Sequence, residues 1–383
     1  MIPGRNPLID LYRGLALIFI FWDHVPNNPW GNLTLRNFGF SDAAEVFVFL
    51  AGYAAVTAYS KVARQRGFLS AGLATLHRAW VLYVVHIFLL AVLMGIIFVA
   101  NDHVATRDMI QEMNLSYFVG NPQAALVDEL LLRFKPNLMD PLPLYIVLLA
   151  ALALILPLLM RAPRYAIAGS LLLWALTQWY GWNIPAHDDG RWYFNPLGWQ
   201  VLFMIGGALA LRRDRPVTDP VRPLRQQNLF MLLAVFLVIS ATITLSWRWP
   251  AMHDLLIPEW FSQNLYPINK TNLAPIRLAH FLALAYCTAK LVPRGAWLDR
   301  WPARQVTLIG RHSLEVFCLG VVLAPLADMA NALADDRLSA QLGTGLLGVA
   351  LMLGLAQWLA LNKRLRRPPA PAKPLPSVSG VAR

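Results

Sequence analysis

Apolar runs separated by short polar breaks occupy almost the whole chain as far as residue 361. Ten runs are candidates to cross a hydrocarbon layer of roughly 30 Å. They lie at about 8–26, 42–60, 77–100, 141–160, 164–182, 196–211, 227–247, 273–291, 305–326 and 340–361. They are too long for strands and lack strict alternation, so each predicts a helix. The pattern therefore predicts an all-α integral membrane protein, a bundle of about ten transmembrane helices. An even number of spans puts both termini on one side.

The breaks between the runs differ in character. The third connection, about 101–140, is long and mixed in charge. Within it, residues 122–135 predict a short amphipathic helix at the interface. The seventh connection, 248–272, carries aromatics and prolines and is a candidate cap over an outer cavity. From Pro368 the chain is rich in Pro and Ala. This divides it into a membrane domain, 1–367, and a disordered cytoplasmic tail, 368–383. Asp10 and Arg13 interrupt the first run and no cleavage site follows, so it reads as a retained span. No internal repeat is visible.

Composition agrees with the pattern. Hydrophobic residues make up 57% of the 383 positions, charged residues only 14%, and mean hydropathy is +0.48. Soluble domains carry about 25% charged residues. The net charge of +12 invites a nucleic-acid reading. However, Lys and Arg concentrate in the N-terminal stub, the second, fourth, sixth and eighth loops and the tail. That alternation is topology information, and it places both termini in the cytoplasm. The expected partner is the lipid bilayer and not nucleic acid. Cys287 and Cys318 lie in apolar runs without metal-type spacing and read as core thiols; no metal site is expected.

The chemistry-bearing residues sort by depth on this topology. Arg13 and His24 sit eleven positions apart in the first run, nearly on one helix face. Their separation along the axis is roughly 16 Å. Ionisable groups at membrane depth are usually functional. Arg13, Arg78 and Arg311, with His312 beside the last, share the cytoplasmic half. Three guanidinium groups at one depth point to an anionic ligand. The plainer reading pairs Arg13 with Asp10 and Arg311 with Glu315, and lets Arg78 snorkel. His24 lies near the outer end, at the depth of Glu45, which is expected to orient the imidazole and favour its charged form. Asp23 and Asp42 are rival partners. A second outer group holds Asp140, Asn195, Gln200, Arg277 and His280, with Trp192, Trp199 and Trp260 nearby. Acids, amides and flat aromatics suit a sugar, although for the tryptophans an interfacial belt explains as much.

The Arg13–His24 spacing resembles the membrane-bound acyltransferase family 3. Further stretches resemble its OpgC branch: GFSDAAEVFVFLAGY at 39–53, PLPLY at 141–145, FNPLGWQ at 194–200, LAPIRLAH at 273–280 and GRHSLEVF at 310–317. Ala51 departs from the Ser common there in relatives. The resemblance implies transfer of a succinyl group from cytoplasmic succinyl-CoA to hydroxyls of an osmoregulated periplasmic glucan, in the bacterial inner membrane. Acyl-CoA is then a cosubstrate, with no permanently bound cofactor. His24 and Glu45 become the catalytic pair, as base and its partner or as acyl carrier. Arg13, Arg78, Arg311 and His312 become the CoA site. Asp140, Asn195, Gln200, Arg277 and His280 become the acceptor site, with Arg277 also suited to the succinyl carboxylate. Transfer of acetyl or another acyl group to a different envelope glycan is the alternative, and anion transport is the alternative from another class. The absence of an inverted repeat disfavours transport. A homodimer stays open.

Overall fold

The computed structural model describes residues 6–188, 190–212 and 223–366. The 368–383 tail lies outside the described residues. Fifteen α-helices are present among them: α1 Pro7–His24, α2 Ala43–His103, α3 Met109–Glu112, α4 Ser116–Gly120, α5 Pro122–Leu130, α6 Pro141–Arg161, α7 Pro163–Tyr180, α8 Pro196–Arg212, α9 Pro223–Ser246, α10 Pro250–Leu256, α11 Glu259–Leu265, α12 Pro275–Leu291, α13 Trp301–Arg311, α14 Ser313–Leu333 and α15 Leu338–Leu365. Extended pairing among the described residues is confined to an isolated Pro185–Arg191 bridge.

The helix starts follow local chemistry. Asn6 caps α1, its side chain accepting from the Leu8 amide at 3.2 Å ahead of Pro7. Asp42 caps α2 and accepts from the Ala44 amide, while Glu45 reaches back to the Asp42 amide at 2.9 Å. This reciprocal box satisfies two donors that the first turn would otherwise leave without partners. Proline opens α6, α7, α8 and α12, where its missing N–H costs nothing.

Each of the ten predicted segments falls on helix, but they are not ten separate helices. The second and third follow one another in α2 on either side of Gly67, where the helix is interrupted. The φ of 84° and ψ of 166° at Gly67 suit a residue without Cβ. The ninth is divided at His312 into α13 and α14, so Arg311 and His312 lie at a helix junction and not within one span. Among the described residues, five helices are long and apolar enough to cross a membrane: α2, α6, residues 226–246 of α9, α14 and α15. The first run, α1, reaches 18 residues but carries Asp10, Arg13 and Asp23. The amphipathic helix predicted at 122–135 is shorter, ending at Leu130, because the chain turns out of helix through Leu132 at φ 59°.

The centre of the bundle is α2, which packs on α6, α8, α1 and α14. Small residues permit these approaches. On α2 and α8, a Cβ on Gly52 would strike the Phe203 carbonyl and one on Gly206 would strike the Phe49 carbonyl. The crossing of α1 with α13 is equally close: a Cβ on Gly310 would collide with the Asp10 carbonyl, and one on Gly14 with the Val306 carbonyl. That crossing brings the Arg13 end of α1 against the α13–α14 junction.

Gly310→Ala is accordingly expected to force α1 and α13 apart and cost ~1–3 kcal/mol, the usual range for overpacking. Gly354→Ala on α15, where a Cβ meets nothing within 4 Å, serves as the reference. Thermal unfolding in detergent measures both. Equal melting temperatures would contradict the crossing.

Candidate active site

A cavity of about 1120 Å³ opens at the His24 end of the bundle. Its wall comes from α1, the start of α2, the 106–141 connection, α14, the 186–194 loop and Lys270. The deeper part is apolar, with Leu17, Phe21, Phe47, Val48 and Phe317. The upper part is densely charged.

His24 is the last residue of α1 and lines this cavity. Its Nδ1 lies 2.5 Å from the Ile20 carbonyl oxygen, one turn back. A carbonyl only accepts, so Nδ1 carries the proton and donates. In the neutral ring Nε2 is then the basic nitrogen. Helix geometry alone fixes this tautomer, without help from a carboxylate.

The expected His24–Glu45 pair is not what the structure builds. Glu45 is fully buried and faces Arg277, with Arg277 Nε donating to Oε1 at 2.7 Å. Arg277 Nη2 also lies 2.6 Å from Glu45 and donates to Asp42 at 3.1 Å. Lys270 completes the cluster, 2.6 Å from Asp42. Burial opposes ionisation of Asp42, but Lys270 and Arg277 outweigh it and hold its carboxyl below the ordinary range. Burial likewise opposes the Lys270 charge, and Asp42 and Glu45 outweigh it. Glu45 is consumed by its cap and its arginine. Of the rival carboxylates, Asp23 accepts from Thr34 at 2.6 Å and pairs with Arg36 at 3.1 Å. Asp42 and Lys270 line the same cavity as His24.

The expected acceptor residues divide. Asp140 lines the cavity, beside Lys135. Burial raises Asp140 to about 6, against the pull of Lys135. Burial lowers Lys135 to about 8, against the pull of Asp140 and Glu129. Asn195, Gln200, Arg277 and His280 are not in the cavity wall. Asn195 is the polar hinge before α8, bonded to Trp182, Asn272 and the Leu197 amide. Gln200 ties α8 to α7 through Ser170 at 2.5 and 2.8 Å. Arg277 is held by Asp42 and Glu45, which removes it as a receptor for a substrate carboxylate. His280 bonds Ser41 at 2.7 Å, and its ring fills the space where a Gly39 side chain would be. Trp199 is fully buried and donates to the backbone of Lys270 and Thr271, so it offers no face to a sugar. Trp260 is exposed.

At the other end of α1, Arg13 donates to Ser313 at the head of α14. Arg311 pairs with Asp10 at 3.7 Å, in place of the expected Arg311–Glu315 contact. His312 stands between α13 and α14. Arg78, on α2, and Arg13 both act electrostatically on the Tyr145 hydroxyl, so the structure draws these two cations toward one region.

Sequence reasoning missed most of the cavity's charge. Arg36, Arg107, Lys135 and Lys270 lie in connections, where their positive charge reads only as topology. Arg107 clasps Asp328 of α14 and Asp336 beyond it. His86 and Glu129, both fully buried, pair at 2.8 Å and fasten α5 to α2. Asp328 alone had a sequence signal, a carboxylate inside an apolar run.

A family model described as OpgC protein matches residues 5–364. No curated protein and no solved structure matches the chain.

Two outcomes follow from this geometry. Glu45→Gln and Arg277→Met should each destabilise the protein by about 3–5 kcal/mol, because each strands a buried charge. The double variant should lose less than the sum, as a double-mutant cycle on unfolding measures; additive losses would deny the pair. Asp140 binds its proton more tightly folded than unfolded. Its contribution is full below pH 3.8 and lost as pH rises through about 6. Asp140→Asn should flatten that part of the melting-temperature profile, and an unaltered profile would place the titration elsewhere.

Proposed function

The chain belongs to the OpgC family, and from that premise we propose that it is a multi-pass bacterial inner-membrane O-acyltransferase. It moves a succinyl group from cytoplasmic succinyl-CoA to a hydroxyl of a periplasmic glucan. The observation that carries the chemistry is His24. Its Nδ1 proton is committed to the Ile20 carbonyl, and its ring lines a cavity large enough for part of a glycan.

In this reading the acceptor hydroxyl hydrogen-bonds to His24 Nε2. The ring takes its proton as the oxygen attacks the thioester carbonyl carbon. The C–O bond forms, the tetrahedral intermediate collapses, and the C–S bond breaks. The imidazolium returns the proton to the leaving sulfur, giving CoA thiol and the sugar ester. Asp42 and Lys270, on the same wall, set the local field: the anion favours the transient imidazolium and the cation opposes it. Lys270, held charged by Asp42 and Glu45, is also a candidate donor to the oxyanion.

The donor lies along α1. Its phosphates meet Arg13, Arg78, Arg311 and His312, and its extended arm follows the apolar shaft from that end toward His24. Arg13 donates to Ser313 and Arg311 faces Asp10, contacts that fix both guanidinium groups at this end of α1.

Incubating the detergent-solubilised full chain with succinyl-CoA and unsubstituted glucan should release CoA thiol and add succinyl mass to the glucan. His24→Ala should abolish transfer, a loss of at least ~100-fold for a missing general base, at an unchanged melting temperature. Glucans of normal succinyl content in cells carrying only His24→Ala would remove the residue from the mechanism.

A further inference from the structure

Most cations around the cavity face a carboxylate. Arg36 faces Asp23 at 3.1 Å, Lys270 faces Asp42 at 2.6 Å, and Arg133 faces Asp128 at 3.8 Å. Arg107 holds Asp328 and Asp336. Arg191 is exposed and donates to the Gly181 carbonyl at 2.8 Å.

Among the described residues of the wall, Lys135 is the buried cation with no carboxylate in ion-pair range; Asp140, on the same wall, also has no ion pair. Lys135 lines the cavity with only 8% of its surface exposed. No carboxylate lies within 4 Å of its ammonium. Glu129, which acts on it from a distance, faces His86 at 2.8 Å. Asp140 also acts on it from beyond ion-pair range. Its hydrogen bond is a single donation to the Leu132 carbonyl at 3.1 Å. An ammonium has three donors, so two remain. The ammonium also stands 3.9 Å from the centre of the Trp192 ring. Trp192 is itself 4% exposed, and its indole N–H has no protein acceptor. The cation thus stands on the cavity wall without an anion, backed by the face of a buried indole that lies behind that wall.

Desolvated charge of this kind is costly unless something pairs with it. The fold holds it in place. The turn through Leu132 at φ 59° aims the accepting carbonyl, and the buried His86–Glu129 pair fastens the preceding helix to α2.

We propose that Lys135, backed by Trp192, is the receptor for the free carboxylate of the acyl group being transferred, and so selects a dicarboxylic over a monocarboxylic acyl chain. This rests on the succinyl-transfer reading above. It replaces Arg277, whose guanidinium is committed to Asp42 and Glu45. The ammonium supplies donors to a carboxylate but nothing to the methyl end of a neutral chain. A chain of the same length without the carboxylate leaves the cation as it stands in the structure, buried and without an anion.

Two measurements on the detergent-solubilised full chain test this. The first is binding of monomethyl succinate, one carboxylate on a four-carbon ester, by calorimetry. Lys135→Met keeps the stem and removes the charge. It should weaken binding roughly 10- to 100-fold, the range for a lost hydrogen bond to a charged group, and Lys135→Arg should recover part of it. Equal affinity in wild type and Lys135→Met, or no binding by wild type, overturns the assignment whether or not transfer occurs. The second compares transfer from succinyl-CoA and butyryl-CoA. In Lys135→Met the preference for succinyl should fall roughly 10-fold or more. An equal loss with both donors overturns it, since it would place Lys135 on the acceptor or in the framework. Wild-type protein that binds monomethyl succinate but cleaves neither thioester would instead overturn the transfer reading.

Discussion

The structure turns on four charges buried where α2 begins. Asp42 and Glu45 bring two carboxylates within one turn, and Arg277 and Lys270 bring two cations from α12 and the connection before it. No single member could be buried alone, since an unpaired ion costs several kcal/mol even after relaxation. Together the four pair carboxylate with cation at every member. Their pairing fixes the entry of the longest helix against α12. It also sets the cavity wall that carries Asp42 and Lys270 near His24. Ser41 and His280 repeat the same junction without charge. The Gly39 turn comes so close to His280 that a side chain could not be accommodated there.

A second junction does for the Arg13 end what this one does for the His24 end. Gly14 and Gly310 let α1 and α13 touch through their backbones. Helices that close align their polar groups by register. Asp10 thereby meets Arg311, and Arg13 meets Ser313. Both ends of α1 are thus positioned by contacts distant in sequence. The distance between Arg13 and His24 is left to the rigid helix, which is the property a long linear donor requires.

What could be read from sequence follows from this division of labour. Hydrophobic runs are local, so the helices were visible as segments. The capping box of Asp42 and Glu45 is equally local, because a cap acts on its own helix. The Arg13–His24 relation was legible because both residues lie on one helix. Pairings across helices were not. Equal depth suggested Glu45 for His24, but depth says nothing about azimuth, and Arg277 lies on the side that Glu45 faces. Likewise the backbone of α1 supplied what a carboxylate was expected to supply to His24. Arg277, Gln200, Asn195 and His280 were singled out because polar groups in apolar runs are rare. That rarity marks a need to be satisfied, and here neighbouring protein groups satisfy it. The break at His312 was hidden inside a continuous apolar run, and the helical turns on both sides of Gly67 were hidden inside a polar one.

Lys135 shows the converse. It sits in a connection, where a lysine looks like a solvated surface charge. Only the return of the 106–141 segment over the cavity buries it. Among the buried cations of the described wall, those with carboxylate partners hold it together, and Lys135, without one, stands at the space the wall encloses. The distinction is energetic. Asp42, Glu45, Arg277 and Lys270 lower one another's cost within the folded chain and need nothing further. Lys135 keeps a cost that Leu132 and Trp192 offset only in part, because a neutral carbonyl and a ring face are weaker partners than a carboxylate. A fold that tolerates such a group in the empty cavity has its strongest electrostatic complement in an anionic ligand. The paired residues explain how the cavity is held, and the unpaired one points to what it holds.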